Sequence, residues 1–192
     1  MKLLIIIPAY NEEDSIVRVV DNLIRNYPQY EYVIINDGSK DSTSKICHEH
    51  NYNIIDLPIN LGLTGAFQTG LKYAYKKGYD YALQFDADGQ HLPEYIDKMV
   101  MKIQEGYDIV IGSRFVEEKK PATMRMLGSR LISSAIRLTT GVKINDPTSG
   151  MRVFDKNLIR EFSQNINYEP EPDTISFLIK QGAKIGEVQV SM

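Results

Sequence analysis

Short hydrophobic runs alternate with helix-like patterns along the first part of the chain. Residues 3–7 are all apolar, which is typical of a strand that is buried on both faces of a sheet. Comparable runs predict strands at residues 32–35, 52–57, 81–85 and 108–111. Helical patterns lie between them, one after Asn11, one from Ser42, one over residues 64–77 and one that opens with Pro93. Asn11 and the acidic residues after it predict a capped start for the first helix.

This alternation predicts a mostly parallel central sheet with helices on both faces, which is a Rossmann-like three-layer α/β/α fold. Strands near residues 151–154 and 185–190 are expected to return to the same sheet. The sequence has no repeats, low-complexity tracts or linker-like stretches, so we expect residues 1–192 to form a single domain. Ligands of such sheets bind beyond the carboxyl ends of the strands, so the residues that follow each strand are candidates for a site.

Polar and acidic residues follow three of the predicted strands, at residues 8–12, 36–41 and 86–91. Asp86 and Asp88 lie two residues apart in an extended segment, so their carboxylates point the same way and repel each other unless a cation intervenes. Hard oxygen ligands suit Mg²⁺ or Mn²⁺, which share their coordination shell with substrate phosphates. The alternative is a solvated turn in which one aspartate caps a helix. The two other polar strand ends favour the metal, with His91 and then Gln90 as weaker candidates for a third ligand.

Residues 60–65, Asn-Leu-Gly-Leu-Thr-Gly, resemble a phosphate-binding loop only loosely. They lack the Gly-Lys-Ser/Thr ending of a P-loop. Two interpretations stay open, a tight turn before a helix and a turn that brings backbone N–H groups near a nucleotide.

Five short motifs also occur together: Pro-Ala-Tyr-Asn-Glu at residues 8–12, Asn-Asp-Gly-Ser at 36–39, Asn-Leu-Gly at 60–62, Asp-Ala-Asp at 86–88 and Gly-Ser-Arg at 112–114. In this order and spacing they resemble the inverting glycosyltransferases of family 2, which have the GT-A fold. Residues 146–152, Asp-Pro-Thr-Ser-Gly-Met-Arg, are similar to the Asp-x-x-Ser-Gly-Phe-Arg element of dolichol- and polyprenyl-phosphate sugar transferases. Met151 stands where that element has phenylalanine. The resemblance covers nearly the whole chain.

The resemblance implies a role for each matching residue. A nucleotide-sugar site would comprise Pro8, Tyr10, Glu12, Asp37, Gly62 and Asp86, with Asp37 accepting a hydrogen bond from the base. A metal site would comprise Asp86, Asp88 and Gln90. The phosphate of an acceptor or donor would bind Arg114, Arg125 and Arg130. Catalytic roles would fall to Asp88, Asp146 and Arg152, with Asp146 as a base or as an acceptor-positioning group.

The implied reaction transfers a sugar, with inversion, from a UDP-sugar or GDP-sugar to a polyprenyl phosphate or a cell-surface glycan, assisted by Mg²⁺ or Mn²⁺. Two alternatives remain. One is a sugar-1-phosphate nucleotidyltransferase, although such enzymes commonly open with a glycine-rich loop and basic residues that residues 8–12 do not resemble. The other is a non-catalytic nucleotide-binding protein on the same fold.

Charge and arginine distribution bear on the partners. The net charge of −3 argues against a nucleic-acid partner. Five of the eight arginines lie between positions 114 and 152. The predicted helix over residues 124–138 has Met124 and three leucines on one side and Arg130 and Arg137 on another. Either it lies against a membrane and presents arginines to a lipid phosphate, or it is an ordinary amphipathic helix that packs on the sheet.

The single cysteine, Cys47, permits no internal disulfide, which fits a cytoplasmic protein that is free or bound at the cytoplasmic face of a membrane. No stretch is long and apolar enough to span a bilayer. Members of the family usually continue past the strand at residues 185–190 into an arginine-containing segment, and many then add membrane helices. This chain stops at Met192, so we expect that it lacks a C-terminal segment or is a short member.

Overall fold

The computed structural model describes residues 1–118, 124–165 and 172–191. Within these residues one sheet contains seven strands, in the order β3-β2-β1-β4-β6-β5-β7. The strands are β1 Leu3–Ala9, β2 Glu31–Asn36, β3 Ile54–Asp56, β4 Tyr81–Gln84, β5 Ile109–Ser113, β6 Arg152–Asp155 and β7 Ile185–Gln189. The helices are α1 Ile16–Asn26, α2 Thr43–Glu49, α3 Gly62–Lys77, α4 Ile96–Gln104, α5 Met124–Thr140, α6 Lys156–Gln164 and α7 Pro172–Lys180.

Strand β1 lies in the middle of the sheet, between β2 and β4, and pairs with both in parallel. Its side chains alternate between two hydrophobic cores, because successive residues of a strand point to opposite faces. Ile5 and Ile7 pack with α1 and α4 on one face, whereas Leu4 and Ile6 pack with α3 and α6 on the other. This double burial explains the uninterrupted apolar run and confirms the predicted three layers.

Helix α3 crosses β1 at very short range, and Gly70 makes that approach possible. A Cβ atom at Gly70 would collide with the side chain of Ile6. The close crossing brings the amino-terminal end of α3 to the carboxyl end of β1, where the first polar loop begins.

Strand β6 is the exception to the parallel arrangement, since it runs antiparallel to both β4 and β5. Gln84, near the end of β4, therefore lies opposite Arg152, at the start of β6. The loop that precedes β6 thus meets the loop that follows β4, at the same edge of the sheet. The parallel pairs outnumber these antiparallel ones, as the sequence predicted.

Three local predictions need correction. The first helix begins at Ile16, and Asn11 does not cap it, because Asn11 has a left-handed backbone with φ 58° and its side chain accepts a hydrogen bond from the Lys40 N–H. Pro93 opens a short 3₁₀ helix, and α4 starts only at Ile96. The third strand is shorter than predicted. Within the described residues, every helix is too short or too polar to cross a membrane.

Candidate active site

A cavity of about 220 Å³ lies at the carboxyl ends of β1, β2 and β4, and we refer to it as the strand-end cavity. It brings together six of the predicted residues, Pro8, Tyr10, Glu12, Asp37, Asp86 and Asp88. Leu63 and Ala66 of α3 complete the wall. Gly62, also predicted here, lies just before Leu63 and starts α3 with a φ of 75°, a backbone conformation that favours glycine.

The loops after β1 and β2 are joined by hydrogen bonds between side chains and backbone. The Asn11 N–H donates to Ser39 Oγ over 3.0 Å, and the Glu12 N–H donates to Thr43 Oγ1 over 2.8 Å. In the opposite direction, the Lys40 N–H donates to Asn11 Oδ1 over 2.8 Å. The two loops therefore behave as one rigid wall, which holds Tyr10 and Glu12 in place.

Asp37 is buried at the floor of the strand-end cavity. Its Oδ1 accepts a hydrogen bond of 2.7 Å from the Leu61 N–H, which ties the β2 loop to the segment before α3. Gly38 lies against the same segment, since a Cβ there would be 2.8 Å from the Asn60 nitrogen. Asp37 Oδ1 thus holds the loop after β2 against the segment before α3, and the Asp37 side chain also lines the strand-end cavity.

The loop after β4 turns sharply between Asp86 and His91. Gly89 has a φ of 82°, and the Gln90 N–H donates to Asp88 Oδ1 over 2.8 Å. The guanidinium group of Arg18 in α1 lies directly against Gly89, in the space that a Cβ would occupy. The turn keeps Asp88 at the strand-end cavity while Gln90 faces the other side of the loop.

His91 is buried and contacts Asp86 through both ring nitrogens. The Asp86 N–H donates to His91 Nδ1 over 2.8 Å, and His91 Nε2 lies 3.4 Å from Asp86 Oδ2. Burial lowers the pKa of His91, and the nearby carboxylates of Asp86 and Asp88 oppose this effect only in part. The ring is therefore neutral at pH 7. Because both nitrogens face Asp86, the structure argues against His91 as a third metal ligand.

A second cavity, of about 370 Å³, lies on the other side of Asp86, and we call it the Arg114 cavity. Its wall includes Asp86, Gln90, Arg114 and residues 148–150. Ser149 also lines it, and within the described residues its Oγ is a buried atom without a hydrogen-bond partner. Asp86 is the residue that the Arg114 cavity shares with the strand-end cavity.

Arg114 forms a two-pronged ion pair with Asp146. Its Nε lies 2.7 Å from Asp146 Oδ2, and its Nη2 lies 3.0 Å from Oδ1. Burial alone would raise the pKa of Asp146, but the hydrogen bonds and the charge of Arg114 hold that pKa below its usual value. Asp146 is fully buried, and Glu187 of β7 accepts hydrogen bonds from the backbone around it. These contacts favour a role for Asp146 in orienting Arg114 over the role of a base.

Arg152 is buried beneath the loop that precedes β6. Its Nε donates to the Ser149 carbonyl and its Nη2 to the Pro147 carbonyl, each over 2.8 Å. The side chain therefore shapes the 146–150 loop from below. This geometry favours a positioning role over the catalytic role suggested by the sequence.

The predicted phosphate-binding arginines do not all meet in one place. Arg130 lines a third cavity, of about 610 Å³, together with Arg137 and Lys143, and we call it the α5 cavity. Helix α5 separates this cavity from the one that contains Arg114, because Ser129 and Ile132 face the Arg114 cavity. Arg125 belongs to α5, but its side chain lies outside the described part of the chain.

The donor set at Asp86 and Asp88 suits a hard divalent cation. Both carboxylates reach the strand-end cavity, and each is at least partly exposed. Among the described residues, no group of three or more His, Cys, Asp or Glu side chains is arranged to hold a metal. Two carboxylates fit a cation whose remaining ligands come from water and a diphosphate, which is the usual coordination of Mg²⁺.

Several residues with a place in the site were not identified from the sequence. Glu187, in a strand that the sequence predicted only as a member of the sheet, accepts a hydrogen bond of 3.0 Å from the Asp146 N–H. Asn11, Ser39 and Thr43 join two loops through contacts that span nearly thirty residues or more. Asn11 and Ser39 belong to the motifs at residues 8–12 and 36–39, but a motif does not show which partner each residue binds.

Comparison with known proteins agrees with this architecture. The model of the glycosyl transferase family 2 matches residues 4–162. A UDP-N-acetylglucosamine–dolichyl-phosphate N-acetylglucosaminyltransferase of Methanococcus voltae is 35% identical, over 97% of this chain and 83% of the relative. An undecaprenyl-phosphate mannosyltransferase of Micrococcus luteus is 27% identical, over 100% of this chain and 83% of the relative.

Solved structures resemble the fold. Glucosyl-3-phosphoglycerate synthase from Mycobacterium tuberculosis, in complex with Mn²⁺, UDP-glucose and phosphoglyceric acid, superposes with a TM-score of 0.72 at 18% identity. The match covers 98% of this chain and 69% of that one. At this identity the likeness bears on the fold alone. Together, the family match and the structural likeness identify the chain as a glycosyltransferase of family 2 with the GT-A fold.

Proposed function

We propose that the enzyme transfers a sugar from a UDP-sugar or GDP-sugar to the phosphate of a polyprenyl lipid, with inversion and with the help of Mg²⁺ or Mn²⁺. The observation that carries this proposal is the position of Asp86, which lines the strand-end cavity on one side and the Arg114 cavity on the other. A donor in the first cavity and an acceptor in the second would meet at this residue. Attack from the side opposite the leaving diphosphate inverts the anomeric carbon.

The strand-end cavity suits the nucleotide part of the donor. Tyr10 and Pro8 offer apolar surface at its rim, and Asp37 offers a carboxylate at its floor. A carboxylate there can accept a hydrogen bond from the N–H of uracil or guanine, so both bases fit the chemistry. The hydrogen bonds between the β1 and β2 loops hold both loops in place before a nucleotide binds. Binding would therefore cost less conformational entropy than it would with mobile loops.

Asp86 and Asp88 would hold the divalent cation, whereas Gln90, also predicted as a ligand, lines the Arg114 cavity on the other side of Asp86. When bound, the cation would stabilise the negative charge that develops on the leaving diphosphate. The protein's own contribution is to fix the two carboxylates. Asp88 is oriented by its bond from the Gln90 N–H, and Asp86 lies between His91 and Gln84.

The state of Asp146 favours a phosphate acceptor over a sugar hydroxyl. A hydroxyl acceptor needs a general base, and an effective base has a pKa near the working pH. Asp146 is buried, bound to Arg114 and lowered in pKa, so it is poorly suited to remove a proton. A phosphate monoester is already largely ionised at neutral pH, with a second pKa of about 6, and needs only positioning. The side chain of Arg114 is 27% exposed and faces the cavity, where it can pair with such a phosphate.

The relatives support this choice of acceptor. The names of the matched proteins from Methanococcus voltae and Micrococcus luteus specify a dolichyl phosphate and an undecaprenyl phosphate as acceptors. A third relative, from Mycolicibacterium smegmatis, is named a polyprenol monophosphomannose synthase. We extend the lipid-phosphate chemistry, but not the sugar, to this enzyme.

The outer face of α5 would rest on the membrane that contains such an acceptor. Leu127, Leu131 and Leu138 are 48%, 65% and 87% exposed, although a helix that packs as part of a soluble core usually buries its leucines. Arg130, Arg137 and Lys143 line the α5 cavity beside them, opposite Glu117 and Glu118. An exposed leucine stripe beside cationic side chains suits the interface of an anionic membrane.

The same proposal covers location and organisation. The buried, unpaired Cys47 fits the reducing cytoplasm, so the enzyme would act at the cytoplasmic face of the membrane. Residues 1–192 would work as one catalytic domain, because the loops that line both cavities are connected to strands of a single sheet.

Transfer of radiolabelled sugar tests the proposal. The enzyme would be incubated with UDP- and GDP-sugars and Mn²⁺, and either a polyprenyl phosphate in detergent or a glycan oligosaccharide. We expect label in the lipid phosphate and loss of transfer when EDTA removes the metal. Transfer to the glycan but not to the lipid would refute the acceptor, and undiminished transfer in EDTA would refute the metal.

A further inference from the structure

The loop between Asp86 and His91 closes on itself through the histidine ring. The Asp86 N–H donates to His91 Nδ1 over 2.8 Å, so the first and last residues of the loop are joined directly. Inside this ring the Gln90 N–H donates to Asp88 Oδ1 over 2.8 Å. The geometry of both aspartates therefore depends on where the histidine ring lies.

The hydrogen bond at Nδ1 fixes which nitrogen carries the proton. Because Nδ1 accepts from a backbone N–H, the proton of the neutral ring must be on Nε2. That nitrogen lies 3.4 Å from Asp86 Oδ2, which is close enough for its positive N–H dipole to attract the carboxylate but too far for a normal hydrogen bond. The other carboxylate oxygen, Oδ1, lies 3.5 Å from the amide nitrogen of Gln84. The carboxylate of Asp86 thus lies between the His91 ring and the side-chain amide of Gln84.

The histidine ring has little freedom to turn. It is buried and meets the ring of Phe85 edge-on at 5.6 Å between centroids. Gly150, from the loop before β6, closes another side: a Cβ there would be 3.5 Å from His91 Cε1 and 3.1 Å from Asp86 Oδ2. A ring that cannot rotate presents its N–H in one direction only.

We propose that His91 is a positioning residue that fixes the carboxylate of Asp86 at the wall between the strand-end cavity and the Arg114 cavity. The inference rests on the proposed function, in which Asp86 binds the cation of the donor complex. His91 also lines the Arg114 cavity, but both of its ring nitrogens face Asp86, so it acts on the reaction through that carboxylate. Partners that orient a metal-binding side chain typically change metal affinity by about 10–100-fold when they are removed.

Two substitutions of His91 test its two contacts with Asp86 separately, the one at Nδ1 and the one at Nε2. In His91→Asn the amide oxygen can occupy the place of Nδ1 and accept from the Asp86 N–H, but nothing replaces the Nε2 proton. In His91→Gln the amide nitrogen can reach the place of Nε2 and donate to Asp86 Oδ2, but the acceptor for the backbone is lost. The exposed His50 provides a matched control, His50→Asn, away from both cavities.

The measurement is binding of Mn²⁺ in the presence of UDP and, separately, GDP, followed by electron paramagnetic resonance and calorimetry. We expect His91→Asn to weaken Mn²⁺ binding about tenfold, His91→Gln to weaken it less, and His50→Asn to leave it unchanged. Melting temperatures report folding independently. Equal affinity in the two His91 variants, or losses that only follow their melting temperatures, would overturn the inference.

A second measurement does not depend on ligand binding. Long-range ¹H–¹⁵N spectra of the wild-type enzyme should show His91 as the neutral Nε2–H tautomer. Three-bond couplings should show a single χ1 rotamer for Asp86 in the wild type and rotamer averaging in His91→Asn. If Mn²⁺ and nucleotide fail to bind the wild type while these spectra agree, the proposed function fails and the positioning of Asp86 stands. A protonated Nδ1 or an Asp86 rotamer that does not respond would refute the inference itself.

Discussion

Arg114 binds both carboxylate oxygens of Asp146, through Nε at 2.7 Å and Nη2 at 3.0 Å, and also donates its backbone N–H to Oδ2 over 3.2 Å. The aspartate is fully buried, while the arginine reaches the cavity. The buried carboxylate of Asp146 therefore fixes the orientation of the Arg114 guanidinium group at the wall of the Arg114 cavity.

Asp146→Asn tests whether this residue orients Arg114 or removes a proton. We expect the KM for polyprenyl phosphate to rise about tenfold and kcat to change less, because only ground-state positioning is disturbed. Arg114→Lys should have a similar effect, since lysine cannot make the two-pronged contact. The double variant should cost little more than either single one, as for residues that act as a unit. A fall in kcat of about a thousandfold in Asp146→Asn alone, at unchanged KM, would instead indicate a base.

The ion pair of Arg114 and Asp146 makes the free energy of unfolding depend on pH. The pKa of Asp146 is lower in the folded than in the unfolded state, so its contribution to stability is complete above about pH 4 and is lost as the pH falls through the lower folded-state pKa. Urea unfolding at pH 7, 4 and 3 should show a steeper acid loss for the wild type than for Asp146→Asn. At pH 7 the variant should unfold more easily by about 3 kcal/mol. Parallel acid profiles would show that other carboxylates dominate.

Asp88→Asn should nearly abolish transfer and leave the fold intact. A cation about 4 Å from a developing negative charge contributes roughly 4 kcal/mol at an effective dielectric near 20. Loss of that differential effect slows the reaction about a thousandfold. Asp173→Asn, on the exposed start of α7, is the control for a surface aspartate. Wild-type turnover in Asp88→Asn, with a folded circular-dichroism spectrum, would refute the metal assignment.

Gly70 and Gly128 form a matched pair for stability. A Cβ at Gly70 collides with Ile6, so Gly70→Ala should destabilise the protein by about 1–3 kcal/mol through overpacking. A Cβ at Gly128 meets nothing within 4 Å, and alanine there should stabilise α5 by about 0.5–1 kcal/mol. Thermal unfolding of the two variants should therefore shift in opposite directions. Shifts of the same sign would contradict the close crossing of α3 over β1.

The leucines of α5 give a direct test of membrane contact. Leu131→Ser and Leu138→Ser should leave the melting temperature unchanged, because both side chains are largely exposed. Each should weaken binding to vesicles of phosphatidylcholine and phosphatidylglycerol about tenfold, since an inserted leucine contributes roughly 1.5–3 kcal/mol. Met101→Ser, on α4 and 68% exposed, is the control. Vesicle binding that is equal in all three variants would place the membrane contact elsewhere or exclude it.

The parts of the fold with strong periodicity could be predicted from the sequence. The run at residues 3–7 identified a strand buried on both faces, and its neighbours in the sheet bury their apolar residues in the same two cores. The sequence could not predict that β6 runs antiparallel to β4 and β5, because the apolar pattern of a strand is the same in both directions. Asn11 misled the prediction because asparagine suits both a helix cap and a left-handed turn, and only the contact with Lys40 decides between them.

For the candidate site, the sequence predicted which residues line the cavities but not which side chains contact each other. Strand-end positions identified Asp37, Asp86 and Asp88 correctly as neighbours. The family resemblance grouped Arg114 with Arg125 and Arg130 as phosphate-binding residues, yet α5 lies between the cavities of Arg114 and Arg130. Likewise, the sequence left His91 as a weaker candidate for a third metal ligand, and in the structure both of its nitrogens face Asp86. Such distinctions depend on side-chain direction, which a single sequence does not specify.

The antiparallel insertion of β6 makes the two cavities depend on parts of the chain that lie far apart in sequence. The strand-end cavity is lined by the loops after β1, β2 and β4 and by the start of α3, all before residue 90. The Arg114 cavity also needs residues 148–150, which lead into β6, and Glu187 of β7 binds the backbone just before them. During synthesis, the residues that line the strand-end cavity would therefore leave the ribosome before those that complete the Arg114 cavity.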